Sequence, residues 1–275
     1  MKRRALLIAT IALLAVFAYD AVLRLAVSGV VALPSVPGGL KMLTAVLALF
    51  SLAHAWYALG VRHTLAFFGL SAVISWAFEQ AGVATGLIFG AYHYTDYLGP
   101  KLGHVPYLIP LAWFMMIYPS YVIANLALAR RPTGTPRGLV PLVQLAAASA
   151  VAMTVWDLVI DPILSGPSTR AWIWESGGPY FGIPIQNYLG WLATTFTVYL
   201  AYRVVEQHVA SAPVGSMPAW VAALPVAAYS LMLASNLLSG AAPAAVAPIG
   251  LVVMGIPIAI ATVRLWRIRS PRAAR

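Results

Sequence analysis

The chain has 275 residues, of which 61 % are hydrophobic and 9 % are charged, and its formal net charge is +10. A typical soluble domain is about 45–50 % apolar and about 25 % charged. With 17 basic and 7 acidic side chains, the chain cannot cover a soluble surface of this size, which excludes soluble, disordered and fibrous proteins. The absence of cysteine also excludes disulfides, thiolate metal sites and cysteine nucleophiles.

A transmembrane helix needs about 20 mostly apolar residues. Eight windows meet this requirement: 5–27, 40–60, 64–82, 106–128, 139–160, 185–206, 217–238 and 244–265. Backbone polar groups in lipid have to be satisfied internally, so the windows predict helices. We therefore predict an all-α integral membrane protein with about eight transmembrane helices, in which residues 1–275 form a single polytopic membrane domain. No convincing cleavage site follows the first window, which is predicted to be a retained helix.

Eight spans place both termini on one side of the membrane, together with 13 of the 17 basic residues. This bias predicts a multi-pass protein of the cell membrane with both termini in the cytoplasm. It also accounts for the positive charge without nucleic acid as a partner. Six of the seven acids fall at or beyond the outer helix ends: Asp20, Glu79, Asp96, Asp157, Asp161 and Glu175. Ionisable groups at membrane depth are costly and usually functional, so this layer is the predicted site.

Two Gly-, Pro- and Trp-rich loops predict an internal repeat. Residues 99–106 resemble residues 178–184 with one residue deleted, and a tryptophan follows seven residues after each segment, at Trp113 and Trp191. These tryptophans are 78 residues apart, and Glu79 and Asp157 share this offset.

We therefore predict that the third and fourth helices are a parallel repeat of the fifth and sixth, covering residues 64–128 and 139–206. Such a repeat would form a pseudo-symmetric core of four helices with one central site. The alternative is chance similarity between two loops of the same composition.

Several kinds of chemistry are disfavoured by the motifs. Asp157 and Asp161 lie four residues apart on one helical face and could bind Mg²⁺ with a diphosphate, but the repeat offers no second aspartate pair. The histidines form no di-iron box, and no late helix carries a lysine for a retinal Schiff base. We expect no metal and no cofactor.

Acid catalysis fits the sequence better. A buried carboxyl can stay protonated at neutral pH and donate a proton, and aromatic faces stabilise cations. The predicted catalytic residues are Asp157, Glu79 and Asp161. The predicted substrate-binding residues are Trp76, Tyr92, Tyr94, Trp113, Trp156, Trp172, Trp174, Tyr180, Asn187 and Trp191. For any single ring, the alternative is an aromatic belt at the membrane interface.

Residues 79–191 also resemble a known family. The resembling blocks are Glu79–Gly86, Phe89–Tyr94, Val105–Trp113, Trp156–Pro162, Trp172–Glu175, Tyr180–Pro184 and Asn187–Trp191. Together they are similar to the carotenoid biosynthesis membrane family that includes gamma-carotene hydratase and bisanhydrobacterioruberin hydratase.

This resemblance implies hydration of the terminal C=C of an acyclic carotenoid end to a tertiary alcohol, without a redox cofactor. The expected partners are the carotenoid, the lipid bilayer and other enzymes of carotenoid synthesis. From the residues, we expect Asp157 to donate the proton and another acid to hold the attacking water. Asp96 and Glu175 are expected to order the loops.

Two other functions stay open at this stage. A carotenoid cyclase of the lycopene type would use the same protonation, with a neighbouring double bond capturing the cation instead of water. A non-enzymatic transporter could also use buried acids, although its acids should follow a path through the membrane.

Overall fold

The computed structural model describes residues 2–208 and 217–269. Within these ranges, seven helices are long and apolar enough to cross a membrane. They are α1 (Arg3–Ala26), α2 (Gly39–Leu59), α3 (Val61–Thr85), α4 (Leu108–Ala129), α5 (Leu139–Leu164), α7 (Ala219–Leu238) and α8 (Val246–Ile268). The remaining predicted window, 185–206, lies in α6 (Ile185–His208), a 24-residue helix that is long enough to span but more polar. The predicted all-α membrane fold is confirmed.

Several helices depart from regular geometry. A π-helical turn interrupts α1 at Tyr19–Leu23, and another ends α4 at Asn125–Ala129. Helix α7 consists of Ala219–Ala222 and Leu224–Leu238. Helix α8 consists of Val246–Val253 and a segment that begins at Gly255. The predicted fifth window ends too early, because α5 continues through Pro162 to Leu164 and holds Asp161 within the helix.

At three prolines within the spans, a side chain from a distant part of the chain bonds to the backbone carbonyl that the proline leaves free. A proline has no N–H, so the carbonyl four residues before it loses its helical partner. In the apolar interior, another donor has to replace that partner. The replacements come from distant residues: Ser51 Oγ donates to Met115 O, Tyr180 OH to Leu158 O, and His54 Nε2 to Val221 O, at 2.9 Å in each case.

Helices α3 to α6 form a ring in which α3 contacts α4, α4 contacts α5, α5 contacts α6, and α6 contacts α3. An exchange of α3 with α5 and of α4 with α6 preserves this set of contacts. Helix α2 packs between α1 and α4, helix α7 lies against α4, and helix α8 lies against α5. The segment predicted to be a repeat therefore forms the core, and the other helices pack around it.

Two loops meet in a short antiparallel sheet above this ring. Strand β1 (Tyr92–Tyr94) pairs with β4 (Trp172–Trp174), with His93 opposite Ile173 at the centre. The loop after β1 contains a small hairpin of β2 (Lys101–Leu102) and β3 (Val105–Pro106). One backbone hydrogen bond lies at each end of the β1–β4 pair. Thr95 N donates to Ala171 O at 3.1 Å, and Glu175 N donates to Ala91 O at 3.0 Å.

A separate buried polar cluster lies near the other end of α6, about 24 Å along the helix from Asn187. Arg203 is fully buried there and donates to Thr135 Oγ1 and Ser149 Oγ, each at 2.9 Å. Glu206 lies 3.8 Å from Arg203 and accepts hydrogen bonds from Tyr121 and Thr135. These contacts hold the α4–α5 connection against α6.

Candidate active site

A cavity of about 130 Å³ lies between the ring and the helices packed around it. All three predicted catalytic acids, Glu79, Asp157 and Asp161, line it, and each side chain is almost completely buried. Eight of the predicted substrate-binding residues also line it: Tyr92, Tyr94, Trp113, Trp156, Trp172, Trp174, Asn187 and Trp191. The structure therefore brings most of the predicted site into one place.

Glu79 projects from α3 and accepts hydrogen bonds on both oxygens. Its Oε2 accepts from the hydroxyls of Tyr92 and Tyr94, the latter at 2.9 Å. Its Oε1 accepts from Trp113 Nε1 at 3.1 Å. An indole N–H can only donate, so this arrangement suits a carboxylate that accepts and does not donate.

The two tyrosines stay protonated donors because of their environment. Burial raises the pKa of both Tyr92 and Tyr94 well above the ordinary tyrosine value, and the nearby charge of Glu79 raises it further. A deprotonated phenol beside a carboxylate in an apolar site would be strongly disfavoured. Glu79 therefore keeps its hydroxyl donors throughout the physiological pH range.

Asp157 and Asp161 project from the same face of α5 and share one donor. Asn187 Nδ2, from α6, donates to Asp157 Oδ2 at 2.9 Å and to Asp161 Oδ2 at 2.8 Å. The other oxygen of Asp161 accepts from Trp172 Nε1 at 2.8 Å and from Trp174 Nε1 at 3.4 Å. Both oxygens of Asp161 are therefore occupied by donors that belong to other elements.

Asp157 differs from the other two acids. Its Oδ1 is buried and has no hydrogen-bond partner among the described residues. A buried polar atom without a partner is rare and calls for a physical explanation. Because no described N–H or O–H donates to Oδ1, this oxygen can carry a proton without displacing an existing hydrogen bond. Among the three carboxyl groups, Asp157 is the one with an oxygen that no described donor contacts.

Aromatic rings lie beside these acids. Trp113 and Trp191 stack with centroids 4.2 Å apart and an interplanar angle of 16°. Trp156 meets Trp191 edge-on, at 6.0 Å and 64°. Aromatic faces attract cations within about 6 Å of the ring centroid. The cavity thus combines an acid with surfaces suited to a developing positive charge.

Two predicted substrate-binding residues lie elsewhere. Trp76 is partly buried on α3, and Tyr180 donates to the Leu158 carbonyl that Pro162 leaves without a helical donor. Neither residue lines the cavity. The predicted loop acids lie outside the cavity as well: Asp96 pairs with Lys101 at 3.4 Å, and Glu175 pairs with His93 at 3.1 Å.

The sequence interpretation missed the opposite wall, which comes from helices outside the repeat. Helix α1 contributes Phe17, helix α2 contributes Leu40, Leu43 and Thr44, and helix α7 contributes Met232, Ser235 and Asn236. Asn236 is 5 % exposed. An available signal was a polar amide within an apolar span, which is costly unless it has a role.

The described residues contain no group of three or more His, Asp or Glu side chains arranged to hold a metal ion. Asp157 and Asp161 do form the predicted pair on one face of α5. Their shared contact is the amide of Asn187.

Comparison with known proteins connects this site to a family. Bisanhydrobacterioruberin hydratase from Haloarcula japonica is a curated relative, 34 % identical over 129 residues. The matched segment covers 46 % of this chain and 41 % of that relative, which is less than half of either protein. No solved structure matches the chain. The model of the family described as "carotenoid biosynthesis protein" matches residues 38–257, which include α3 to α7, both paired strands and all three acids. The chain therefore belongs to the carotenoid biosynthesis protein family.

Proposed function

We propose that this protein is a carotenoid hydratase, which adds water across the terminal C=C of an acyclic carotenoid end. The observation that carries the proposal is Asp157 Oδ1, a buried carboxyl oxygen without a partner among the described residues, in the wall of an aromatic cavity. The name of the Haloarcula japonica relative supports the same reaction class.

In the proposed reaction, Asp157 gives a proton to the less substituted carbon of the double bond. The other carbon becomes a tertiary cation, and a water molecule adds to it. General acid–base catalysis of this kind contributes about 10²- to 10⁴-fold. The addition of water neither oxidises nor reduces the substrate overall, so the proposed reaction needs no redox cofactor.

The other two acids have an electrostatic role in this proposal. The oxygens of Glu79 and Asp161 are held by indole and phenol donors, so these groups are positioned as fixed negative charges. Preorganised charges in a low-dielectric site stabilise the charge that develops in a transition state. The stacked rings of Trp113 and Trp191 add an aromatic surface for the same cation.

The cavity favours the end of a polyene as the substrate group. A buried water needs a cavity volume of about 10–15 Å³. The cavity of about 130 Å³ therefore accommodates a short branched hydrocarbon end together with a water. The rest of a long carotenoid would lie between helices or in lipid. Apolar side chains supply much of the wall: Leu40, Leu43, Leu108, Ile109, Ile160 and Leu164.

We further propose that the protein lies in the cell membrane with both termini in the cytoplasm, as the distribution of basic residues favours. Reporter fusions in the 130–138 connection and at the C-terminus should then report cytoplasm, whereas a fusion at 165–170 should not. A C-terminus outside the cytoplasm would contradict this orientation.

The function is tested by expressing the full chain in a host that accumulates lycopene and measuring the pigment masses. We expect a product that has gained one water for each modified end. A product of unchanged mass with a new ring would instead identify a cyclase. Unmodified lycopene, with the protein present in the membrane, would reject both reactions on this substrate.

A further inference from the structure

Helix α7 contributes one face to the wall of the cavity. Met232, Ser235 and Asn236 all line the cavity, and their spacing places them on one face of the helix. Asn236 is 5 % exposed, and its Nδ2 is buried without a partner among the described residues.

Three residues that line the cavity, two on α5 and one on α7, each have a buried side-chain atom without a described partner: Asp157 Oδ1, Trp156 Nε1 and Asn236 Nδ2. Each differs in what it can do. The carboxyl of Asp157 can hold and release a proton, whereas the indole N–H of Trp156 can only donate a hydrogen bond. The carboxamide of Asn236 offers both a donor and an acceptor and is not titrated, so it can orient a water without competing for the proton.

We propose that Asn236 binds the water that attacks the cation and thereby determines that the cation is captured as an alcohol. This inference rests on the proposed hydratase function. It revises the expectation that a second acid holds the water, because donors already occupy both oxygens of Glu79 and of Asp161. A water bound by Asn236 would face the cation from α7, a helix outside the repeated core.

The reaction balances with these groups alone. The proton of Asp157 Oδ1 and the π electrons of the double bond form a new C–H bond, which leaves a tertiary cation and an aspartate carboxylate. A lone pair of the bound water forms the C–O bond, and the resulting oxonium returns a proton to Asp157. Asn236 stays neutral throughout. Without an oriented water, the cation loses a proton and returns to an alkene, or a neighbouring double bond captures it.

This difference can be measured in D₂O with membranes that contain the full chain and lycopene. Protonation without capture places deuterium in the recovered alkene, whereas capture yields the deuterated alcohol. For Asn236→Leu, we expect the alcohol to fall about 10-fold or more, while deuterium in recovered lycopene stays at or above the wild-type level. For Asp157→Asn, we expect neither alcohol nor deuterium incorporation.

Ser230→Ala is the matched control on the same helix. The Ser230 hydroxyl donates to Val226 O at 2.9 Å, and Ser230 does not line the cavity. We expect wild-type alcohol and wild-type deuterium from this variant. If Asn236→Leu does not accumulate in the membrane, Asn236→Val is the replacement, with the same expectation and less bulk.

Wild-type alcohol from an Asn236 variant, with loss in Asp157→Asn, would overturn the role of Asn236 and leave the hydratase proposal standing. Loss of both alcohol and deuterium in Asn236→Leu, with normal protein in the membrane, would also overturn it, because Asn236 would then act before the cation forms. A wild-type chain that makes no alcohol would instead refute the hydratase proposal itself.

Discussion

The core has two halves, one built from α3, β1 and α4 and the other from α5, β4 and α6. In each half, aromatic side chains of the strand donate hydrogen bonds to a buried acid of the preceding helix. Strand β1 directs Tyr92 and Tyr94 to Glu79. Strand β4, its antiparallel partner, directs two indoles to Asp161. The strands pair in a register that places the aromatic residues of each opposite those of the other. We infer from these matching contacts that the two halves are related by a pseudo-two-fold axis.

The halves differ in the number of carboxyl groups. To the cavity wall the first half contributes Glu79, held by three donors. The second half contributes Asp161, held in a similar way, and Asp157 one helical turn before it, with one oxygen that has no partner among the described residues. The common scaffold therefore buries a carboxyl and surrounds it with donors. In the proposed reaction, the proton donor is the carboxyl group that the second half adds to that scaffold.

The largest expected effect is the loss of alcohol formation when the additional acid of the second half, Asp157, is replaced. We expect Asp157→Asn to lower alcohol formation by at least about 100-fold, because the amide keeps the size of the side chain but cannot deliver a proton. Pigment mass analysis, with protein quantified in the membrane, measures this. Arg24→Gln is the control, since Arg24 pairs with Asp20 at 3.2 Å and does not line the cavity. Full conversion by Asp157→Asn would remove Asp157 as the donor.

Glu79→Gln should show a smaller loss of activity and a larger loss of stability than Asp157→Asn. The substitution replaces an oxygen that accepts two hydroxyl protons with an amide donor, and hydrogen bonds to charged groups contribute about 1.5–3 kcal/mol. The midpoint of thermal inactivation in detergent compares the two variants. Equal thermal stability of Glu79→Gln and the wild type would show that these hydrogen bonds contribute little.

The stacked tryptophans provide an intermediate effect. Trp113→Phe removes part of the ring contact and also the hydrogen bond to Glu79. Trp191→Phe alters only ring contacts among the described residues, which contribute about 0.5–1.5 kcal/mol. We expect Trp113→Phe to be the more destabilising, by thermal inactivation. The reverse order would indicate that the indole–carboxylate bond is weak.

The last comparison concerns corresponding loop positions before the two strands, and its smallest expected effect is that of Arg170→Gly. Gly90 has φ +98°, and an added Cβ would lie 3.0 Å from Pro184 Cγ. Arg170 also has a positive φ, of 49°. We expect Gly90→Ala to cost about 1–3 kcal/mol. Arg170→Gly should stay within about 1 kcal/mol of the wild type, because relief of strain opposes the greater freedom of the unfolded chain. Equal stability of both variants would show that the two turns are not under comparable constraint.

Hydropathy and the shared offset predicted much of this arrangement before any contact was known. They placed Glu79 and Asp157 in one layer, and both line the cavity. The offset of 78 pairs Glu79 with Asp157, yet the strand donors make Asp161 the counterpart of Glu79. The chain runs 13 residues from Glu79 to Tyr92 and 11 residues from Asp161 to Trp172. The connection from acid to strand is therefore two residues shorter in the second half, and its strand donors reach the acid four residues after the one that the offset pairs with Glu79.

A different cause explains why two predicted substrate-binding residues lie outside the cavity and why Asn236 was missed. Trp76 and Tyr180 have the residue type and depth of a site, but the rotation of α3 and the free carbonyl of Leu158 direct them elsewhere. Asn236 was missed because α7 lies outside the repeat and carries no acid. Its place in the cavity wall depends on how α7 packs against the ring, which the residues of α7 do not encode on their own.

The sequence by itself determined the membrane class, the spans, and the layer in which the acids collect, because these follow from local composition and from the cost of burying charge. Only the tertiary structure decided which carboxyl oxygen has no donor among the described residues and which helices outside the core complete the cavity wall. The donors that surround Glu79 and Asp161 come from strands and helices distant in the chain. The chemical role of each acid therefore depends on the packing that brings those elements together.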